Sequence, residues 1–378
     1  MEIVPVSNNF VYLSTILLLS ILCLFTLPVM ASPEDGKLHL YPLSDTYILK
    51  DCSTCRMFNE SELRVGYVAK RVRLDYLPAV KYKIVFVNHS NILLKFNLSE
   101  IPPGAEIKIA RLWLYVMKPP EKQITLYLYV LKEEYNESWV SWTQRTMKSF
   151  WRTTGGYSEP GYIDKVQVSD KISEGRSVGF LVTDYVKRAH SGEIEDFGVV
   201  IRPDVKKVSE SEFRSSSVLR FYVDFFSLEG SKREFKSRYA PDLYVEFVKP
   251  TAIISLSSTS AVLEKGGVIS LTASESGTFG GTVELAYRVV EAPGLKVGPL
   301  SIEIGQYDKK PGFSTDVKIS AKENALPGKY VIEFYPVTPG YDSDVVEYGK
   351  VNLTVEVKGE RNSPKQPRRP LLSQRLLK

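Results

Sequence analysis

The stretch FNLSEIPPGAEIKIARLWLYV, residues 96–116, decides the fold. Its Ile-Pro-Pro-Gly centre is a turn, because proline presets φ and glycine accepts positive φ. The run that follows alternates: Leu112, Leu114 and Val116 share one parity, Arg111, Trp113 and Tyr115 the other. Successive side chains of a strand point to opposite faces, so this is a strand with an aliphatic face for a core and an aromatic face left over. The run ITLYLYV, 124–130, repeats the pattern, with Ile124, Leu126, Leu128 and Val130 against Tyr127 and Tyr129. The short connection MKPPEKQ, 117–123, predicts an antiparallel hairpin between the two runs. Trp113, Tyr115, Tyr127 and Tyr129 would then lie together on its outer face. Such a face can stack on the C–H side of a sugar ring, with Arg111 and the tyrosine hydroxyls bonding the sugar hydroxyls. The same aromatics in cross-strand pairs also stabilise a sheet that binds nothing.

Around this segment the 378 residues read as strands. DTYILK (45–50), ILLKFNL (92–98), VGFLVT (178–183), FGVVI (197–201), SVLRFYVDFF (217–226) and DLYVEFV (242–248) all carry β-branched and aromatic residues between turn signals. VTDYVKRAHSGE (182–193) is the one short helix expected, acidic at its start and basic at its end. After Lys249-Pro250 the texture changes to short aliphatic runs separated by glycine-rich turns such as EKGG, SGTFGG and LPGKY. That spacing predicts an immunoglobulin-like β-sandwich of about seven strands over 250–357, without the inter-sheet disulfide, since no cysteine falls there. The expected class is all-β: an antiparallel jelly-roll sandwich over 32–249 and a second sandwich after it.

Residues 11–31, VYLSTILLLSILCLFTLPVMA, are uncharged and apolar. They read as a secretory signal cleaved near Ala31, or as a retained N-terminal anchor, since the run is just long enough to span a bilayer. Export makes a local disulfide the leading reading for Cys52 and Cys55 in CSTC, with free thiols or metal and redox chemistry as alternatives. It also makes the sequons at Asn59, Asn88, Asn97, Asn136 and Asn352 glycosylation candidates. The tail 358–378 holds seven Lys/Arg and one Glu, a net +6 within a chain of net +5, so the rest carries a net −1. The basic balance thus belongs to the tail, which has too little apolar surface to order itself and serves as a tether to an anionic surface or as a solubilising end. The body is not a nucleic-acid binder on this charge.

Several segments resemble the DNRLRE domain family, a carbohydrate-binding-module-like jelly roll of exported proteins. SDTYIL (44–49) resembles its opening strand and 93–116 its strongest segment, through Phe96, Leu98-Ser99, Ile101-Pro102, Gly104, Ala110 and the Leu112/Leu114 alternation. YNESWVSWTQRT (135–146) is similar to its W-x-E-x-x-x-T-W segment, carrying Glu137 and Trp142. VTDYVKRAHSGEIEDFGVVI (182–201) and PDLYVEF (241–247) follow in order. The chain departs from the pattern at Ala189-His190, where a tryptophan is missing, at the split FFSLE and FKSR segments, and by insertions at about 66–90 and 147–175. The resemblance covers roughly 38–249. It implies polysaccharide binding or a surface-structural role, Glu137 and Trp142 as framework residues, and a structural calcium ion between loops.

No glycosidase carboxylate pair, Gly-x-Ser-x-Gly, His-Glu-x-x-His or P-loop pattern occurs, and three histidines leave few general bases. The sequence therefore predicts a non-enzymatic secreted or cell-surface protein that binds polysaccharide through an aromatic sheet face, without a catalytic cofactor. The alternative is a structural envelope, adhesin or filament component, with other envelope proteins as partners and membrane contact only through the N-terminal segment or the tail.

Overall fold

The computed structural model describes residues 35–74, 81–206, 208–213, 216–233, 237–293 and 300–359. The apolar segment 11–31, read as a secretory signal or anchor, and almost all of the basic tail lie outside the described residues. The described residues form one compact unit. It is all-β, and its apolar side chains gather into two main clusters, one in each of two successive sandwiches.

The first sandwich begins with β1 (Asp35–Leu40), β2 (Pro42–Leu49), β3 (Glu62–Leu74), β4 (Lys81–Phe96), β5 (Glu106–Lys118) and β6 (Ile124–Val130). It continues with β7 (Asp164–Val168), β8 (Ser177–Leu181), helix α1 (Thr183–His190), β9 (Val199–Pro203), β10 (Val218–Phe226), the short helix α2 (Leu228–Arg233) and β11 (Asp242–Val248). One sheet runs β1-β11-β5-β8; the other runs β10-β3-β4-β9-β6-β7, with β2 also on β4. The turn before β5 is built as its residues require: the Ala105 amide donates to the Pro102 carbonyl across Pro103-Gly104, and Gly104 takes φ +86°. Leu112, Leu114, Val116, Leu126, Leu128 and Val130 are all buried in the same core.

The expected hairpin between 110–116 and 124–130 does not form. β5 is flanked by β11 and β8, and β6 by β9 and β7. With both edges of β5 taken, and Pro119-Pro120 in the connection lacking ladder donors, residues 119–123 cross from one sheet to the other. Both strands turn their aliphatic face into one core, so their aromatic faces look outward on opposite sides.

The sheets are joined where β5 meets β10, through the pairs Asp224–Lys118 and Phe225–Val116. Asp224 is fully buried there. Arg64 of β3 donates to both its oxygens, from Nε at 2.7 Å and Nη2 at 2.9 Å, while Lys118 and Glu62 complete the network.

The second sandwich has nine strands among the described residues rather than about seven. They are β12 (Thr251–Leu256), β13 (Ser260–Leu263), β14 (Val268–Gly277), β15 (Glu284–Glu291), β16 (Leu300–Ile304), β17 (Ser314–Ala321), β18 (Gly328–Val337), β19 (Glu347–Gly349) and β20 (Val351–Val357). The sheets β16-β17-β14-β12-β19 and β13-β20-β18-β15 reproduce the immunoglobulin arrangement, with β13 parallel to β20. A tyrosine corner marks it: buried Tyr330, near the start of β18, donates to the Leu326 carbonyl at 3.0 Å. Ile332, two residues on, fills the core where such domains carry a bridging cysteine.

Arg64→Ala should leave the buried Asp224 carboxylate without its main partner and cost about 3–5 kcal/mol. Urea unfolding checks this; a loss below about 1 kcal/mol would show that Lys118 and water suffice.

Candidate functional site

The outward side of β6 builds an aromatic cluster. Period-2 alternation buries Leu126 and Leu128 and leaves Tyr127 and Tyr129 half-buried outside. Tyr162, from the loop entering β7, closes on them edge-to-face, its ring centroid 5.0 Å from Tyr127 and 6.5 Å from Tyr129. Tyr162 is 49% exposed. Arg202 of β9, cross-strand from Tyr127, holds its guanidinium 5.0 Å over the Tyr129 ring and is anchored by a bond to the Gly156 carbonyl. Burial pushes the Tyr129 hydroxyl up from its ordinary pKa. Lys165 and Gln167 on β7 are exposed beside the rings. The rest of this outer face is covered: the loop 131–157 lays Leu131, Tyr135, Val140, Trp142 and Trp151 over Ile48, Leu93 and Val200.

The opposite outer face carries Arg111, Trp113 and Tyr115 on β5. Trp113 lies beside Gly179 of β8, its cross-strand partner; a Cβ on Gly179 would come within 2.4 Å of the indole Cζ3. The indole fills the space that the glycine leaves open, and Trp113 is half-buried. Tyr115 packs on Tyr239, whose ring stacks in turn on Phe226. Arg111 is exposed. The four aromatics named in the sequence are therefore two pairs on two faces: Tyr127 and Tyr129 join the partly exposed Tyr162, whereas Tyr115 packs against Tyr239 above the buried Phe226. Tyr162 was missed because it sits in a loop with no alternation to flag it.

Cys52 and Cys55 are joined in a disulfide, Cα–Cα 5.2 Å, within the loop between β2 and β3. That loop docks on 139–143: Arg56 lies 3.7 Å over the Trp139 ring, and Thr143 Oγ1 donates to the Ser53 carbonyl. Asn59, Asn88, Asn136 and Asn352 are exposed, and Asn97 is half-buried. Asn59 and Asn88 take positive φ, which asparagine tolerates better than most residues.

Three carboxylates approach one another under the loop. Asp45, 3% exposed, accepts the Leu228 amide at 2.7 Å and is hydrogen-bonded to Glu229. Glu137 accepts the Asp45 amide at 3.0 Å, so it ties the loop to β2. Desolvation, opposed by the Leu228 bond and reinforced by Glu229 and Glu137, pushes the Asp45 carboxyl up to about 8. Burial raises Glu137 as well. Among the described residues no three His, Cys, Asp or Glu converge so as to hold a metal ion, and no ligand for the calcium that the resemblance implies is assigned. An open cleft of about 810 Å³ lies between the sandwiches, lined mainly by apolar groups such as Phe96, Leu98, Ile101 and Tyr341, with Lys95, His190 and Asp196 at its polar parts.

No family model matches the chain, and no curated protein matches it. Among solved structures, a family 123 glycoside hydrolase from Clostridium perfringens is 12% identical over 28% of this chain and 27% of its own, with a TM-score of 0.22. This chain thus spans about a quarter of that protein's length. Domains 4 and 5 of the S-layer protein SbsC are 13% identical over 62% of this chain and 98% of theirs, TM-score 0.21. The titin M3 domain is 14% identical over 28% and 97%, TM-score 0.19. Likenesses at these scores assign neither partner nor activity.

The buried Asp45 makes stability pH-dependent. Its folded pKa, about 8, stands above the model-peptide 3.8, so the unfolded chain loses this proton first. Its contribution is fully present below about pH 4 and is lost as pH rises through about 8. Asp45→Asn keeps an acceptor for Leu228 and removes the titration. Melting temperatures across pH 4–9 should fall less steeply in the variant than in the parent; parallel curves would sink the assignment.

Proposed function

We propose that this is an exported, non-enzymatic protein that binds a polysaccharide through the tyrosine face of β6. The observation that carries the reading is the Tyr127–Tyr129–Tyr162 cluster: three rings in mutual contact, one of them half exposed, beside Arg202, Lys165 and Gln167. Rings supply an apolar surface for the C–H side of a pyranose, and the surrounding donors bond its hydroxyls. The ring contacts among the tyrosines and the stacking of Arg202 on Tyr129 are in place before ligand arrives, which limits the ordering cost of binding. The likeness of its segments to the DNRLRE domain pattern points the same way.

Export is supported by the Cys52–Cys55 bridge, which suits an oxidising compartment, and by the exposure of four of the five sequons. Binding rather than catalysis is supported by the fate of the acidic cluster. Asp45 and Glu137 spend their oxygens on backbone amides beneath a packed loop rather than facing a substrate across a cleft.

Tyr162→Ala removes the most exposed ring while leaving the β6 core untouched. On a polysaccharide array the parent should bind at least one neutral glycan, and the variant should bind it roughly two- to tenfold more weakly with an unchanged melting temperature, as for an aromatic contact of about 0.5–1.5 kcal/mol. Equal binding by both proteins would remove the tyrosine face from the reading.

A further inference from the structure

β3 and β4 extend beyond the sandwich as a two-stranded arm. The ladder from β10 reaches β3 only as far as Val218–Lys70, with one further bond from the Arg71 amide to the Ser217 carbonyl. On β4, the pairs with β2 and β9 begin at Ser90 and Ile92. Between these limits the strands pair only with each other, in the register Lys70–Val85, Arg71–Ile84, Val72–Lys83 and Arg73–Tyr82, while Ile84 packs on the core, Phe86 meets the Tyr67 ring edge-on and Arg71 lies 6.0 Å from the Phe213 ring. Both sides of this arm meet solvent: Val72 is 43% exposed on one, and Tyr82 and Phe86 are each 38% exposed on the other.

Every charged residue in 65–74 and 81–88 is Lys or Arg, five in all. Several cations elsewhere on the first sandwich stand against carboxylates: Lys95 on Glu134, Lys108 on Asp35, Lys118 on Glu62, Arg188 on Glu159 and Arg220 on Glu121. Among the described residues no carboxylate pairs with Lys70, Arg71 or Lys83. Arg71 instead lies 4.6 Å over the Tyr82 ring. The nearby Glu212 is engaged in its own turn, accepting from the Ser209 amide and hydroxyl.

We infer that this arm binds an anionic polysaccharide. An acidic sugar carries a charged group and an apolar C–H face on the same ring. The arm offers the complement on each side, Lys70 and Lys83 beside Val72 on one and Arg71 beside Tyr82 and Phe86 on the other, with roughly 7 Å between neighbours along a strand on one side. A duplex would present charge without that apolar face. The site is separate from the tyrosine face and stands without it.

The test uses the full chain, so that the basic tail is constant. Parent, Lys70→Glu/Lys83→Glu and Lys70→Arg/Lys83→Arg proteins are titrated with polygalacturonate, heparin and dextran at low and moderate salt, and with duplex DNA and phosphatidylserine vesicles. The parent should bind polygalacturonate, heparin or both, more weakly as salt screens the charges; which of the two it prefers separates carboxylate from sulfate recognition. Charge reversal should weaken that binding at least roughly tenfold with melting temperature unchanged, the arginine pair should preserve it, and Tyr162→Ala should leave it intact. The inference is overturned if charge reversal leaves affinity unchanged, if the parent binds neither acidic polymer, or if it binds DNA or vesicles more tightly than both.

Discussion

A carboxyl without solvent access must either stay protonated, as Asp45 does, or be answered by positive charge, and Asp224 is answered by Arg64 through two bonds of 2.7 and 2.9 Å. This pair sits where the two sheets of the first sandwich meet, and its members come from β10 and β3, with Lys118 from β5 close by. A slip of one residue in any of these strands would turn a charge into the core and an aliphatic side chain out of it. Gly66 lets β3 come this close: a Cβ there would lie 2.1 Å from the Phe221 carbonyl oxygen, and its φ of +147° suits glycine. The network therefore fixes register where β10 pairs with β5 across the two sheets, beside the register shift between Asp224 and Phe225.

Once β5 and β6 are assigned to opposite sheets, each outer face needs its own cover. On one, the missing side chain of Gly179 makes room for the Trp113 indole, so the sheet covers its own tryptophan. On the other, the loop 131–157 closes over β2, β4 and β9 and meets β6 at Tyr129, which packs against its cluster. Tyr127 and Tyr162 extend the aromatic surface beyond that contact. Their position is a consequence of loop length as much as of strand sequence, which is why the binding reading rests on β6 and not on β5.

The alternation of β5 and β6 was legible because period-2 burial is a local property, and the buried residues are those the pattern named. The helix at 183–190, with Asp184 at its start and Lys187, Arg188 and His190 at its end, was legible for the same reason. Strand partners were not. A face can be read from one segment, but a neighbour depends on which edges other strands have taken, and β11 reaches β5 from more than a hundred residues away in sequence. The arm was hidden because VGYVA, 65–69, is buried on both faces while KRVRL, 70–74, is buried on neither, so VGYVAKRVRL shows no alternation. The charge state of Asp45 was hidden too, since SDTYIL reveals a strand but not the loop that seals it. The tyrosine corner at Tyr330 could have been found, as a lone Tyr just after the LPGK turn at a strand start.

The same turn that starts β5 also positions the second sandwich. Gly104 must have positive φ for the turn, and it must also lack a Cβ, because one would lie 1.9 Å from the Thr278 carbonyl oxygen. The Gly280 amide donates to the Pro103 carbonyl, and the Tyr341 hydroxyl to that of Ser99. These are backbone-centred, directional contacts rather than a broad apolar seam. They hold the two sandwiches at a short, specific joint and leave the cleft beside it open. A joint of that kind transmits orientation without merging the cores, so the tyrosine face and the basic arm are carried on one sandwich whose own register, set at Asp224, does not depend on the other.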